Sequence, residues 1–172
     1  MNKKILTYVA VLFALITIGT AIFLFFYREK AQTQNKKEIP ESMHSYRIFI
    51  ADFKMLQTKE LFLKKEGNDL QLLEKVLENY ITELPSHIKD IKVLGVYRDK
   101  ENVIYIDLSK NLFTQGDAIE EYTILKSLYR TIKDNFAWVE DIRILINGKE
   151  LETLGGHFSI ENSLKAALED NK

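Results

Sequence analysis

Three histidines, His44, His87 and His157, are the residues of this chain best suited to hold a metal or move a proton. Their spacing argues against a shared task. His44 lies in a polar stretch and His87 follows Pro85 in a loop, so no two stand at the intervals of a metal site. Each reads better as a solvated or locally hydrogen-bonded histidine. Gly155-Gly156-His157, after a strand-like run, raises the question of a phosphate cradle or an oxyanion hole. The dinucleotide and P-loop patterns need further glycines, or Gly-Lys-Ser/Thr, opening a helix, and neither is present. Gly155 and Gly156 therefore read as a backbone turn, or a close approach that a side chain would forbid. No serine has nucleophile-elbow surroundings and no His-Glu-x-x-His run occurs. Glu74, Glu78, Glu120 and Glu121 fall at helical spacing, where carboxylates serve caps or solvated faces. Cysteine is absent, which excludes disulfides, thiolate ligands, a cysteine nucleophile and an acylated cysteine. The expectation is a chain with no catalytic residue, no cofactor and no metal.

The whole composition points away from nucleic acid as well. Twenty-four Lys and Arg against 25 Asp and Glu leave a formal net charge of -1. Phosphate binding needs a concentrated basic excess. The 172 residues fit one ordinary domain and a short extra piece. Much of the 46% hydrophobic content sits in the first thirty or so positions.

That content is a candidate membrane anchor. Ile5 to Tyr27 carries no ionisable group except two tyrosines. As a helix, about 23 residues span roughly 34 Å, enough for the hydrocarbon core with some tilt. Lys3 and Lys4 precede it, Arg28 and Lys30 follow it, and Tyr8 and Tyr27 lie near its ends. Gly19 and Ala21 form a small-x-small pattern, but Ile22 to Phe26 continues as hydrocarbon, unlike a cleaved signal peptide. The expected organisation is a basic segment 1–4, a single-pass helix 5–27, a polar linker 28–45, a domain 46–165 and a polar tail 166–172. Counting basic residues alone mildly favours a cytoplasmic C-terminal domain, whereas the short basic head resembles a signal anchor with its N-terminus inside.

The elements that must position any site follow from periodicity. Tyr46 to Asp52 and Glu60 to Lys65 read as strands, ended by Gly67-Asn68. Asn68 caps a helix whose Leu70, Leu73, Val76, Leu77, Tyr80, Ile81 and Leu84 recur at helical spacing until Pro85. Two strand-like runs flank Asp99-Lys100-Glu101-Asn102 as a hairpin. Asp117 and Glu120 form a capping box, opening a helix with Tyr122, Leu125, Tyr129, Ile132 and Phe136 in one stripe. Asn147-Gly148 marks a last hairpin. The order β-β-α-β-β-α-β-β predicts an α+β two-layer sandwich, a mostly antiparallel sheet with two helices on one face.

One feature of that sheet points outward. Ile104, Ile106 and Leu108, with Ile142, Ile144 and Ile146, alternate toward the helices. Val103, Tyr105 and Leu145 then fall on a back face that no remaining element covers, a surface suited to another protein.

Ile142 to Leu164, IRILINGKELETLGGHFSIENSL, resembles the close of the GerMN (Germane) domain of sporulation and spore germination proteins. That family ends with a strand, a Gly-containing turn and a Glu-Thr-Leu-x-Gly-His stretch. Val103 to Leu112 is similar to its Val-x-Val-Asp-hydrophobic-Ser segment, Ala118 to Phe136 to its intervening helix, and Tyr46 to Asp52 to its opening strand. The resemblance implies a non-enzymatic envelope module outside the cytoplasmic membrane, similar in architecture to ring-building domains, with protein partners or a homo-oligomer. The favoured interface joins Gly155, Gly156 and His157 to the sheet-face residues Val103, Tyr105 and Leu145. The alternative is an extracytoplasmic module for a ligand such as cell-wall glycan, which would need an aromatic groove exposing Tyr97, Tyr105 or Trp138.

Overall fold

The computed structural model describes residues 17–20, 22–23, 42–52, 54–84, 90–113 and 116–169. The chain divides into two compact units, Met1–Pro40 and Glu41–Lys172. In the first, residues 17–20 and 22–23 are helical, with Ile18, Ile22 and Phe23 exposed. The rest of the apolar stretch expected to cross a membrane, Ile5 to Tyr27, lies outside the described residues. Among the described residues no helix is long and apolar enough to cross one.

The second unit is α+β. Its elements are β1 (Met43–Asp52), β2 (Met55–Lys64), α1 (Asp69–Thr82), β3 (Val93–Arg98), β4 (Val103–Leu108), α2 (Ala118–Lys133), β5 (Asp141–Ile146), β6 (Lys149–Glu150) and α3 (Leu164–Glu169). The local chemistry that starts each helix is plain. Asn68 accepts the Gln71 N–H at 2.9 Å while the Gln71 side chain accepts the Asn68 N–H at 3.0 Å. Asp117 accepts the N–H groups of Ile119 and Glu120, both at 3.0 Å, and Glu120 accepts the Asp117 N–H in return. Lys54, an exposed partner 2.6 Å from Asp117, holds that carboxyl below its usual range and is itself raised by it. Asn147 (φ 51°) and Gly148 (φ 74°) form the tight turn between β5 and β6.

Two corrections to the expected sheet emerge. The strands form two sheets, a β1-β2 hairpin and a four-stranded sheet in the order β3-β4-β5-β6. Within the latter β4 and β5 run parallel, with α2 as the crossover between them. The other pairings are antiparallel. The linker expected up to Ser45 yields Met43, His44 and Ser45 to β1, because their partners Lys64, Leu63 and Phe62 extend the ladder. The polar tail expected from residue 166 is also different: Ala167 and Leu168 of α3 are buried, and Leu164 anchors the helix in the core.

One hydrophobic core unites these layers. Ile104, Ile106, Leu108, Ile142 and Ile144 meet Leu72, Leu73, Val76 and Leu77 of α1 and Ile124, Leu125, Leu128 and Ile132 of α2. Tyr122 and Tyr129, expected on the buried stripe of α2, are only half-buried at its rim. β1 sits against α2 through an unusual pair of clamps. Thr131 Oγ1 accepts the Phe49 N–H at 3.0 Å and donates to the Phe49 carbonyl at 3.4 Å. One turn on, Asn135 Oδ1 accepts the Arg47 N–H at 2.8 Å and its Nδ2 donates to the Arg47 carbonyl at 2.7 Å. Asn135, in the turn that follows the helix, also donates to the Thr131 carbonyl at 2.6 Å, and residues two apart on a strand point the same way, so the pairs match. The outer edge of β1 is closed by side chains instead of a third strand.

Tyr80 joins α1 to α2. Its ring is fully buried and its hydroxyl lies 2.6 Å from Ser127 Oγ. Since Ser127 donates to the Ile124 carbonyl, Tyr80 is the donor in this pair. Burial pushes the phenol far above its ordinary value, with the Ser127 bond acting in the opposite sense. Above pH 10.0, the ordinary phenol value, the unfolded chain therefore ionises this tyrosine while the folded one does not, and stability falls as pH rises. Tyr80→Phe is expected to cost about 1 kcal/mol at neutral pH. It should also flatten the alkaline decline in stability, measured by urea unfolding at neutral pH and above pH 10.0. An unchanged alkaline slope would assign that decline to other groups.

Candidate functional site

The residues singled out by sequence fall into two groups carried by different elements. The first is the loop after β6. Thr153 and Ser159 form an isolated antiparallel bridge, which pinches 153–159 into a tight excursion containing Gly155, Gly156 and His157. What fixes that excursion is Glu121, in the first turn of α2. Its carboxylate is fully buried, yet three donors converge on it. Oε1 accepts the Gly155 N–H at 2.7 Å, and Oε2 accepts the His157 N–H at 3.0 Å and Nδ1–H at 2.7 Å. A buried carboxylate is tolerated only with such partners.

The two glycines serve different ends. A Cβ on Gly155 would stand 2.5 Å from the ring of Phe113 and 2.9 Å from Glu121 Oε2. Gly156 has open space around it but adopts φ +91°, a left-handed backbone that side chains disfavour. The loop is tied again by Asn111, whose Nδ2 donates to the Leu154 carbonyl at 2.7 Å and whose Oδ1 accepts the Phe113 N–H. His157 is thereby held with Nδ1 turned inward and the imidazole 39% exposed. A carboxylate behind one ring nitrogen fixes the tautomer and aims the other.

Glu121 was not foreseen. Its position in the first turns of an acidic-capped helix reads as a solvated or dipole-facing carboxylate, and its partners lie 34 and 36 residues away. Local pattern carries no trace of so distant a bond. The one available signal was the Gly-Gly-His run itself, whose backbone donors require an acceptor from somewhere.

The second group is the outer face of the four-stranded sheet. Register places Tyr97, Tyr105 and Arg143 in one row across β3, β4 and β5. Val103, Tyr105 and Leu145 are half-buried. Part of their cover comes from polar side chains. The Arg143 guanidinium lies 5.9 Å from the Tyr105 ring and is held by Glu150 at 3.1 Å. Asp107, on the same face, is buried and accepts the Gly148 N–H at 2.9 Å. Tyr97 remains 56% exposed, its ring folded back over Gly95, where a Cβ would stand 2.7 Å from the phenol oxygen. Trp138 belongs elsewhere, stacked under Arg98 at 4.5 Å and edge-on to Phe136 at 6.2 Å. Tyr97 and Tyr105 are thus adjacent and Trp138 is not with them.

Of the remaining histidines, His44 is exposed on β1 and His87 lies outside the described residues. Among the described residues no three His, Cys, Asp or Glu side chains converge in a way that could hold a metal ion.

These features define an α+β module of a mixed sheet, a separate hairpin and a Gly-Gly-His loop locked on a helix carboxylate. Residues 24–152 match the Germane family model, described as sporulation and spore germination. The chain belongs to that family. Two solved structures are similar at 21% identity each. One, a candidate lipoprotein from Clostridium perfringens, is matched over 73% of this chain and 89% of its own, with a TM-score of 0.49. The other, the tandem GerMN domains of the sporulation protein GerM from Bacillus subtilis, is matched over 67% of this chain with a TM-score of 0.47. There the match spans 43% of the tandem chain, less than half its length. No curated protein matches the chain.

Proposed function

We propose that this protein is a non-enzymatic, membrane-anchored envelope component whose GerMN domain mediates protein–protein assembly in sporulation- or germination-related complexes. The anchor is Ile5 to Tyr27, a stretch of hydrocarbon length with basic residues at both ends. The domain lies outside the cytoplasmic membrane. The observation that carries the assembly reading is the sheet's outer face, where Val103, Tyr105 and Leu145 are half-buried beside an exposed Tyr97. Apolar side chains on a sheet face that no element backs among the described residues are the usual material of an interface. The His157 loop supports the same reading, because a loop so firmly fixed presents its side chain at no further ordering cost.

The test is sedimentation of residues 41–172 over a wide concentration range, with Tyr105→Glu and Leu145→Glu alongside. Self-association is expected in the parent and at least a tenfold weakening in each substituted protein, about 1.4 kcal/mol or more. Circular dichroism should show both still folded. Unfolding by either substitution would mean that this face is core.

A second reading has one observation in its favour. Tyr97 and Tyr105 are register partners on β3 and β4, with Arg143 beside Tyr105 and held by Glu150, a row of aromatic and polar residues of the kind that sugars bind. Binding of cell-wall glycan lost on Tyr97→Ala, in a domain that stays monomeric, would favour it.

A further inference from the structure

The clamps on β1 reveal an asymmetry in the hairpin. Since the N–H and C=O groups of Arg47 and Phe49 point away from β2, toward Asn135 and Thr131, their cross-strand partners Glu60 and Thr58 are in the non-hydrogen-bonded class. The backbone groups of Leu56, Thr58, Glu60 and Phe62 therefore point away from β1 as well. No strand pairs with that side of β2 among the described residues. One edge of the hairpin is closed by Thr131 of α2 and Asn135 just beyond its end; the other is a ten-residue edge without proline. Proteins blunt such edges when they are not used. This one carries Lys59, Glu60 and Lys64, yet it also exposes Met55 (67%) and Phe62 (37%).

We infer that the open edge of β2 pairs with β2 of a second copy, antiparallel and centred on Lys59. A two-fold axis through Lys59 sets Thr58 opposite Glu60, both with outward backbone groups, so the new ladder forms in register. It also sets Leu56 against Phe62 on one face and Met55 against Leu63 on the other, each pair occurring twice. The drawback of the centre, Lys59 opposite its own copy, is offset by Glu83, which pairs each lysine at 2.5 Å. The neighbouring register centred on Glu60 fits worse. It opposes two carboxylates that have no ion pair among the described residues and sets Leu56 against Lys64. The hairpins then form one four-stranded sheet across the dimer. This surface is separate from the outer face of the other sheet, and the inference stands whether or not that face assembles.

The natural absence of cysteine makes the register directly readable. In the full chain in detergent solution, Lys59→Cys should give a disulfide-linked dimer on mild oxidation, because a non-hydrogen-bonded pair brings the two Cα atoms to about 4.5 Å. Thr58→Cys, which meets Glu60, should cross-link at least tenfold less. Thr58→Pro removes an outward N–H that the monomer does not use; added to Lys59→Cys it should abolish the cross-link and leave the circular dichroism unchanged. Phe62→Glu provides the same comparison should the proline disturb folding. Failure of Lys59→Cys to cross-link, equal cross-linking through Thr58→Cys, or a cross-link that survives both Thr58→Pro and Phe62→Glu would overturn the pairing.

Discussion

Glu121→Ala is expected to destabilise the domain by about 3 kcal/mol, a large share of the 5–15 kcal/mol by which a domain of this kind is stable. The substitution removes the acceptor for two backbone N–H groups and the Nδ1–H of His157, and opens a cavity beneath Phe113 and the loop. Each buried donor left without a partner costs about 1–3 kcal/mol. The total stays below the sum because half-exposed Gly155 and His157 can recruit water once the loop loosens. Glu121→Gln keeps the shape but turns an amide toward donors, so roughly 2 kcal/mol is expected. His157→Ala removes only the exposed donor, and about 1 kcal/mol is expected. Urea unfolding of the four proteins of a Glu121/His157 cycle measures the coupling. A shift below about 1 kcal/mol for Glu121→Ala would show that the loop holds without its carboxylate.

Gly155→Ala should be the second most damaging change, at about 2–3 kcal/mol. The cause is steric and not conformational. The new methyl meets the Phe113 ring at 2.5 Å and Glu121 Oε2 at 2.9 Å, and neither can move away cheaply. Phe113 is buried, with its backbone N–H bound to Asn111, and Asn111 is bound in turn to Leu154 of the same loop. Gly156→Ala provides the contrast. Its methyl would meet nothing, so only the left-handed backbone is disfavoured, at about 1 kcal/mol. Thermal unfolding of the two variants separates clash from strain. Phe113→Leu should partly rescue Gly155→Ala and leave Gly156→Ala unaffected. Equal losses for the two glycines would mean that the loop relaxes around Gly155.

The sequence-based expectations succeeded where the physics is local. Capping by Asn68 and by Asp117 with Glu120, the Asn147-Gly148 turn and the inward isoleucines of β4 and β5 are each decided within a few residues. Which strand lies beside which is not. Periodicity made the β1-β2 hairpin visible but could not show that Thr131 and Asn135 close its edge, taking the place a neighbouring strand would fill. The parallel β4-β5 pairing is likewise invisible, since parallel and antiparallel strands present the same alternation. Ala167 and Leu168 were hidden by charged neighbours in a helix too short to show a period. Glu121 is the sharpest case: its residue type and position suit a solvent-facing carboxylate, and only the loop that returns some 34 residues later makes it core.

The clamps at Arg47 and Phe49 also bear on how the domain would carry tension. The polypeptide enters the folded unit through β1, so a tug on the preceding segment acts along the axis of that strand. Ten cross-strand registrations with β2 and the side-chain clamps of Thr131 and Asn135 lie across that axis. Sliding β1 breaks them together and not one after another. A pull from the N-terminal side of the domain would thus be borne by β1 together with β2, Thr131 and Asn135.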